Sequence, residues 1–161
     1  MEKEYSMGLP KEFVVTVFIV KGDNILLVKH RKLGLWLPIG GHIDGGEHPE
    51  EALEREIKEE CGLQVDLIAE RFKEVEWEEV KAMPIPFHLQ VEYIDGKHEH
   101  VDFIYAAKYV GGEAKLAEKE HQEIRWFSLK EIENHKERDI GKDIKFLAGK
   151  AVEIVKNSQN A

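Results

Sequence analysis

The segment from Gly41 to Leu63 constrains this chain more than any other part of its sequence. It reads GHIDGGEHPEEALEREIKEECGL, with glycines at both ends and a run of charged residues between them. Pro49 can open a helix, because a proline at the first helical position gives up only an N–H that has no partner there. Gly62 can end the helix, since glycine accepts the left-handed backbone of a helix C-terminus. The sequence therefore predicts a helix from Pro49 to about Glu60.

Three carboxylates lie within about one turn of this predicted helix, at Glu56, Glu59 and Glu60. Like charges at such spacings repel each other by roughly 0.2–0.5 kcal/mol per pair on a free helix. A cation removes that repulsion, and hard divalent cations prefer carboxylate oxygens as ligands. The neighbouring guanidinium of Arg55 can hold a carboxylate in one orientation. The cluster therefore predicts a divalent metal site, and with it a ligand that carries phosphate.

Length, charge and hydropathy argue against a protein that wraps nucleic acid or spans a membrane. The chain of 161 residues suits one domain over residues 1–161, with a C-terminal helix at about 141–156. Its formal net charge of −9 argues against binding a nucleic acid duplex, because a phosphate backbone needs a basic surface. No stretch approaches about 18 apolar residues, and the N-terminus has no apolar signal core. We therefore expect a cytoplasmic protein with no membrane partner.

Apolar and alternating segments predict a sheet around the acidic helix. The predicted strands are Glu12–Val20, Ile25–Lys29, Leu33–Gly41, which breaks into a loop, Gln64–Phe72, Pro86–Asp95, His100–Val110 and Glu123–Phe127. Ser128 and Glu131 have the spacing of a capping box and predict another helix. Strands outnumber helices and do not alternate regularly with them, which favours an α+β fold over a doubly wound one.

The fixed residues of the first segment resemble the Nudix box, G-x5-E-x7-R-E-U-x-E-E-x-G-U, in which U is a bulky aliphatic residue. Every fixed position is present, at Gly41, Glu47, Arg55, Glu56, Ile57, Glu59, Glu60, Gly62 and Leu63. The resemblance implies an α/β/α sandwich, in which helices flank a mixed β-sheet. It also implies hydrolysis of a diphosphate bond in a nucleoside diphosphate derivative or a nucleoside triphosphate, with Mg²⁺ or Mn²⁺ as cofactor. A homodimer is compatible with such a fold.

The same resemblance implies roles for individual residues. The implied metal ligands are Glu56, Glu59, Glu60 and the backbone carbonyl of Gly40. Arg55 would orient Glu47 or a neighbouring carboxylate. Glu56 is also a candidate base for the attacking water, but family members often use a further acid from the loop before the last core strand. Glu120 and Glu123 are the candidates for that acid, and Glu120 is preferred because Glu123 falls inside the predicted strand.

Substrate contacts are less clearly marked. Arg31 belongs to a basic cluster at residues 29–32 that either contacts substrate phosphates or is a solvated loop. Phe87 and Phe103 are candidates for stacking on a base, although aromatic residues on strands mostly pack in the core. His98 and His100 share a face of an extended segment, but no Cys or third His lies near them in the sequence, so we do not expect a zinc site.

Two other functions are compatible with parts of the sequence. A Nudix fold can also serve as a non-catalytic ligand-sensing or protein-binding module, since fold alone does not decide function. The intact box argues against that alternative. An isomerase acting on a prenyl diphosphate is a further possibility, but the single Cys61 lies in the acidic helix rather than in a reactive loop. The identity of the diphosphate substrate stays open.

Overall fold

The computed structural model describes residues 8–160, which form one mixed β-sheet with helices on both faces. The strands are β1 (Lys11–Lys21), β2 (Asn24–His30), β3 (Trp36–Leu37), β4 (Ile39–His42), β5 (Gln64–Ile68), β6 (His88–Ile94), β7 (His98–Gly111) and β8 (His121–Ser128). The α-helices are α1 (Pro49–Glu60), α2 (Leu129–Asn134) and α3 (Lys142–Gln159), and a short 3₁₀ helix covers Lys73–Val75.

The centre of the sheet is the parallel pair of β1 and β7, which runs from Lys11 opposite Glu99 to Val20 opposite Lys108. The other pairs are antiparallel: β1 with β2 and β4, β2 with β3 and β8, and β7 with β5 and β6. The mixed sheet confirms the predicted α+β class. The strands predicted over Pro86–Asp95 and His100–Val110 pair as a hairpin, and its turn residues Asp95 and Gly96 have positive φ angles, of 52° and 64°.

Side chains of β1 alternate between two hydrophobic clusters on opposite faces of the sheet. Val15, Val17 and Ile19 face α1, where Leu53 and Ile57 pack against the same cluster. Phe18 and Val20 face the other cluster, which includes the buried stripe of α3. Each helix layer therefore covers one face of the sheet, as an α/β/α sandwich requires. Cys61 is fully buried in the α1 cluster.

Most predicted elements match the structure within a few residues. The acidic helix has the predicted bounds, and Gly62 follows it with a φ of +67°. The strand predicted over Gln64–Phe72 ends at Ile68. The chain then leaves the sheet, and the backbone carbonyl of Glu70 accepts a hydrogen bond from the backbone N–H of Ile85. The C-terminal helix continues past the predicted end to Gln159. Among residues 8–160, no helix combines the length and the apolar composition needed to cross a membrane.

Candidate active site

The two glycines of β4 leave space for the acidic helix on one side and for strand β1 on the other. A Cβ at Gly41 would overlap the carboxyl group of Glu56, and a Cβ at Gly40 would overlap the carbonyl oxygen of Val15. Neither glycine has a positive φ angle, so their role here is to leave space rather than to adopt an unusual backbone conformation. This close approach brings the carboxyl groups of α1 to the end of β4.

Arg55 lies at the centre of a hydrogen-bond network that fixes two of the carboxylates. Its Nε and Nη2 donate to the two carboxylate oxygens of Glu47, at 2.7 and 2.9 Å. Its Nη1 donates to Glu56 Oε1 at 2.8 Å, and its Nη2 also donates to the backbone carbonyl of His42, at 2.8 Å. The hydrogen bond from Arg55 lowers the pKa of Glu47 to about 2, assisted by the backbone N–H of Asp44. The guanidinium therefore joins the loop before α1, the helix itself and β4.

Glu56 and Glu60 are unusual carboxylates because they are almost completely buried, with 8% and 4% of their surfaces exposed. Burial raises the pKa of Glu56 to about 7; the hydrogen bond from Arg55 opposes this shift, and the charges of Glu60 and Glu59 add to it. Glu60 Oε2 accepts a hydrogen bond from the backbone N–H of Gly40 at 3.1 Å. Glu59 is different, since its side chain is 59% exposed and its Oε2 lies 3.4 Å from Arg55 Nη1.

His121 is a site residue that the sequence analysis missed. Its ring is buried, and its Nε2 lies 2.9 Å from Glu60 Oε1. Glu60, Glu120 and His121 each place one possible ligand atom within 4.8 Å of the others. In the sequence, His121 is notable only because it directly follows Glu120, a candidate base. No pattern of neighbouring residues predicts that this histidine contacts Glu60. Glu120 lies in the turn before β8, whereas Glu123 is within β8 and pairs with Lys29.

A cavity of about 600 Å³ lies beside Glu60 and His121. Gly40, Gly41, Glu60 and His121 line one end, and Ile144 and Leu147 of α3 line another part of its wall. Its polar wall includes Asp102, whose Oδ2 accepts a hydrogen bond from Thr16 Oγ1 at 2.8 Å. The cavity therefore combines a carboxylate-rich end with an apolar wall and a few polar groups, as small-molecule sites commonly do.

Comparison with known proteins identifies this arrangement. The family model described as NUDIX domain matches residues 10–148, which is most of the chain. The chain belongs to the NUDIX family. A solved structure titled as a hydrolase of the NUDIX family from Clostridium perfringens is 34% identical, with a TM-score of 0.81, and the match covers 91% of this chain and 99% of that one.

More distant matches agree with this family membership. The MutT protein from Methanosarcina mazei Go1 is 19% identical with a TM-score of 0.68, over 94% of this chain and 99% of that chain, and it supports the fold alone. The NAD-capped RNA hydrolase NudC of Pseudomonas aeruginosa is 29% identical over 115 residues. That match covers 70% of this chain but only 34% of NudC. The NUDIX chain thus spans about a third of the length of this curated relative.

The NUDIX family implies a divalent cation, and the residues present fit one. The donors gathered at the end of β4 are carboxylate oxygens, the ligand type that Mg²⁺ and Mn²⁺ prefer. Burial and like charges hold the pKa of Glu56 at about 7, and a cation beside it would favour its charged form. Gly40 contributes an N–H to Glu60, so the backbone of β4 and the side chains of α1 are already in contact.

The three predicted substrate contacts do not line the cavity. The guanidinium of Arg31 donates to the backbone carbonyls of Glu118 and His121, at 2.8 and 3.2 Å from its Nη2, and so supports the turn that carries Glu120. Phe87 packs against Phe18 and the α3 cluster, with ring centroids 6.4 Å apart. Phe103 packs on the α1 side of the sheet. Contacts of these three residues with a substrate therefore stay predictions.

Proposed function

We propose that this chain hydrolyses a diphosphate bond in a nucleoside diphosphate derivative or a nucleoside triphosphate, with Mg²⁺ or Mn²⁺ as cofactor. One observation carries the proposal: the complete Nudix box folds so that the buried carboxyl group of Glu60 lines a cavity of about 600 Å³. Gly41, against which the Glu56 carboxyl group packs, lines the same cavity. Such a cavity falls in the size range of ordinary small-molecule sites. The relative NudC, an NAD-capped RNA hydrolase, supports a substrate that contains a nucleotide diphosphate.

In this proposal Glu56, Glu59, Glu60 and the backbone carbonyl of Gly40 hold the metal. When bound, the metal neutralises charge on the diphosphate and lowers the pKa of a bound water. The chain positions these ligands before any substrate arrives, since Arg55 holds Glu56 and His121 holds Glu60. Glu47 keeps the guanidinium of Arg55 in place through two parallel hydrogen bonds.

Glu120 is our preferred general base, and Glu56 is the alternative. Glu120 is exposed in a turn, where it can reach a water near Glu60, and Arg31 holds that turn through backbone carbonyls. Burial raises the pKa of Glu56 to about 7, which suits a base, but its hydrogen bond from Arg55 and its proposed role as ligand compete with that function. Glu123 is the weakest candidate, because it lies on β8 opposite Lys29.

The direct test is a panel of diphosphates assayed with the purified chain and Mg²⁺. The panel should contain NAD, ADP-ribose, a UDP-sugar, a dinucleoside polyphosphate and the nucleoside triphosphates, with products identified by mass spectrometry. We expect cleavage of the P–O–P linkage in at least one compound. The Glu59→Gln and Glu60→Gln variants should each lose most of that activity. If no member is cleaved although binding of Mg²⁺ is measured, the non-catalytic ligand-sensing module becomes the better explanation. The cytoplasmic location and the homodimer stay predictions.

A further inference from the structure

A second cluster of possible metal ligands lies on the sheet, apart from the carboxylates of α1. Three histidine nitrogens surround one carboxylate oxygen, Glu12 Oε2. His42 Nε2 lies 2.7 Å from this oxygen, and the Nε2 atoms of His98 and His100 both lie 3.6 Å from it. The two Nε2 atoms of His98 and His100 are 3.2 Å apart. We propose that Glu12, His42, His98 and His100 form a binding site for a transition-metal dication, with Zn²⁺ as the first candidate.

The four residues come together through the register of three neighbouring strands. In the parallel pair of β1 and β7, Glu12 lies opposite His100. In the antiparallel pair of β1 and β4, His42 lies opposite Val14, two positions along the strand from Glu12. His98 and His100 are alternate residues of β7 and therefore point to the same face. The sequence shows only the His98 and His100 pair, and His42 joins them through strand pairing rather than through sequence position.

The distances between Glu12 Oε2 and the Nε2 atoms of His98 and His100 match three corners of a four-coordinate zinc site. With Zn–N and Zn–O bonds of about 2.0–2.2 Å, ligand atoms at the corners of a tetrahedron are roughly 3.3–3.6 Å apart. Three of the four separations given above, at 3.2, 3.6 and 3.6 Å, are close to that range. The fourth, 2.7 Å, is a hydrogen bond between His42 and Glu12 that a bound cation would replace. Glu12, His98 and His100 are therefore already placed for an ion, and His42 has to turn to become the fourth ligand.

The donor types separate this cluster from the proposed catalytic centre. Imidazole nitrogens suit Zn²⁺ and neighbouring transition metals, whereas Mg²⁺ prefers oxygen ligands. The neutral imidazole is the form that binds metal. Glu92 Oε2 lies 3.8 Å from Nδ1 of His100, where it can orient the ring from its other nitrogen. We therefore expect selectivity for Zn²⁺ over Mg²⁺.

The site also has a direct connection to the proposed active site. His42 and His100 line the same cavity as Glu60. The backbone carbonyl of His42 accepts a hydrogen bond from Arg55, the residue that holds Glu47 and Glu56. A metal bound to the His42 side chain would therefore fix the position of a residue on which the carboxylate network depends. The metal site itself does not depend on the chain being a hydrolase.

The test measures Zn²⁺ binding to the whole chain, prepared without a histidine tag and stripped of metal by a chelator. Titration against a chromogenic zinc indicator, in excess Mg²⁺ to occupy the oxygen site, should show one tightly bound Zn²⁺ per chain. Loss of an outer-shell partner typically weakens metal binding by about 10–100-fold. We expect His98→Ala and His100→Ala each to weaken Zn²⁺ binding by a larger factor, because each removes a ligand. The control His88→Ala changes an exposed histidine of β6 and should bind Zn²⁺ like the unmodified chain.

A second measurement on the unmodified chain avoids any loss of folding in the variants. Co²⁺ should bind in place of Zn²⁺ and give the strong visible absorption of a tetrahedral site, and Zn²⁺ should abolish it. Glu60→Gln should keep this spectrum, because Glu60 belongs to the other site. The proposal is overturned if no stoichiometric Zn²⁺ binds, if binding survives both His98→Ala and His100→Ala, or if Glu60→Gln removes it.

Discussion

Gly41 lies directly against the carboxyl group of Glu56, where a Cβ would overlap both carboxylate oxygens. The carboxyl group cannot easily move away, because Glu56 is 8% exposed and is held by Arg55. This contact explains why the Nudix box of this chain has a glycine at position 41: a residue without a Cβ leaves the space that a buried carboxylate of α1 occupies.

The first prediction follows from this contact. Gly41→Ala should displace the Glu56 carboxylate and lower kcat at least tenfold on whichever diphosphate is cleaved, with the fold retained in the circular dichroism spectrum. The matched control is Gly45→Ala, since a Cβ at Gly45 would meet no atom within 4 Å. Steady-state kinetics of the two variants provide the comparison. Equal activity in both would mean that the position of Glu56 does not matter for the reaction.

The second prediction concerns Arg55 and the dependence of stability on pH. The hydrogen bond from Arg55 holds the pKa of Glu47 at about 2, below its ordinary value of about 4.3. A lowered carboxyl pKa stabilises the fold above the unfolded pKa, and this contribution is lost as the pH falls from about 4.3 to about 2. Arg55→Lys keeps the charge but loses the paired contact with Glu47.

We therefore expect Arg55→Lys to have a lower Tm than the unmodified chain at pH 6, with a difference that narrows as the pH falls towards 3. Thermal melts followed by circular dichroism at several pH values measure this difference. Lys58→Arg is a suitable control, because it exchanges the same two residue types at an exposed position of α1. A Tm difference that is constant across the pH range would show that Glu47 is not the group responsible.

The sequence predicts those features of the fold and site that depend on neighbouring residues. Pro49 and Gly62 set the bounds of α1, and the order of charges places Arg55 beside Glu56 and Glu59 on the same helix. Strand pairing between distant segments is harder to predict, because it depends on register across the sheet rather than on local pattern. The contact between His121 and Glu60, 61 positions apart, is one example.

The histidine cluster shows the same limitation more clearly. His98 and His100 are visible as a pair in the sequence, but Glu12 and His42 join them only through the pairing of β1 with β7 and β4. Arg31 is a related case: a basic residue near a loop predicts a phosphate contact, yet its guanidinium contacts two backbone carbonyls in the fold. Residue type alone does not distinguish these roles.

The third prediction concerns Asp102, a buried carboxyl group in the wall of the cavity. Burial raises the pKa of Asp102 well above its ordinary value, and the nearby charge of Glu92 raises it further. A raised carboxyl pKa favours folding most at low pH, and this contribution is lost as the pH rises above about 4, where the unfolded aspartate ionises. The other groups near Asp102 are Thr16, which donates a hydrogen bond to it, and Asp143.

Asp102→Asn should therefore raise the Tm relative to the unmodified chain at pH 8, by removing a carboxyl group whose ionisation is unfavourable, and this advantage should disappear near pH 4. Asn keeps the shape of Asp and can still accept the hydrogen bond from Thr16 Oγ1. Differential scanning calorimetry at pH 4, 6 and 8 provides the measurement, with Asp66→Asn on β5 as an exposed control. An advantage that is equal at pH 4 and pH 8 would contradict a raised pKa for Asp102.

The fourth prediction tests whether His121 positions Glu60 rather than acting on the substrate. His121 is buried, and its Nε2 lies 2.9 Å from Glu60 Oε1, so its removal leaves a proposed metal ligand without a partner. Loss of such an orienting partner typically weakens metal binding by about 10–100-fold. His121→Ala should therefore raise the Mg²⁺ concentration needed for half-maximal activity by about that factor, with much of kcat restored at saturating Mg²⁺.

His121→Gln, which can still donate a hydrogen bond to Glu60, should be less affected, and His88→Ala should not change the metal requirement. A loss of kcat that Mg²⁺ does not restore would assign His121 to the reaction itself.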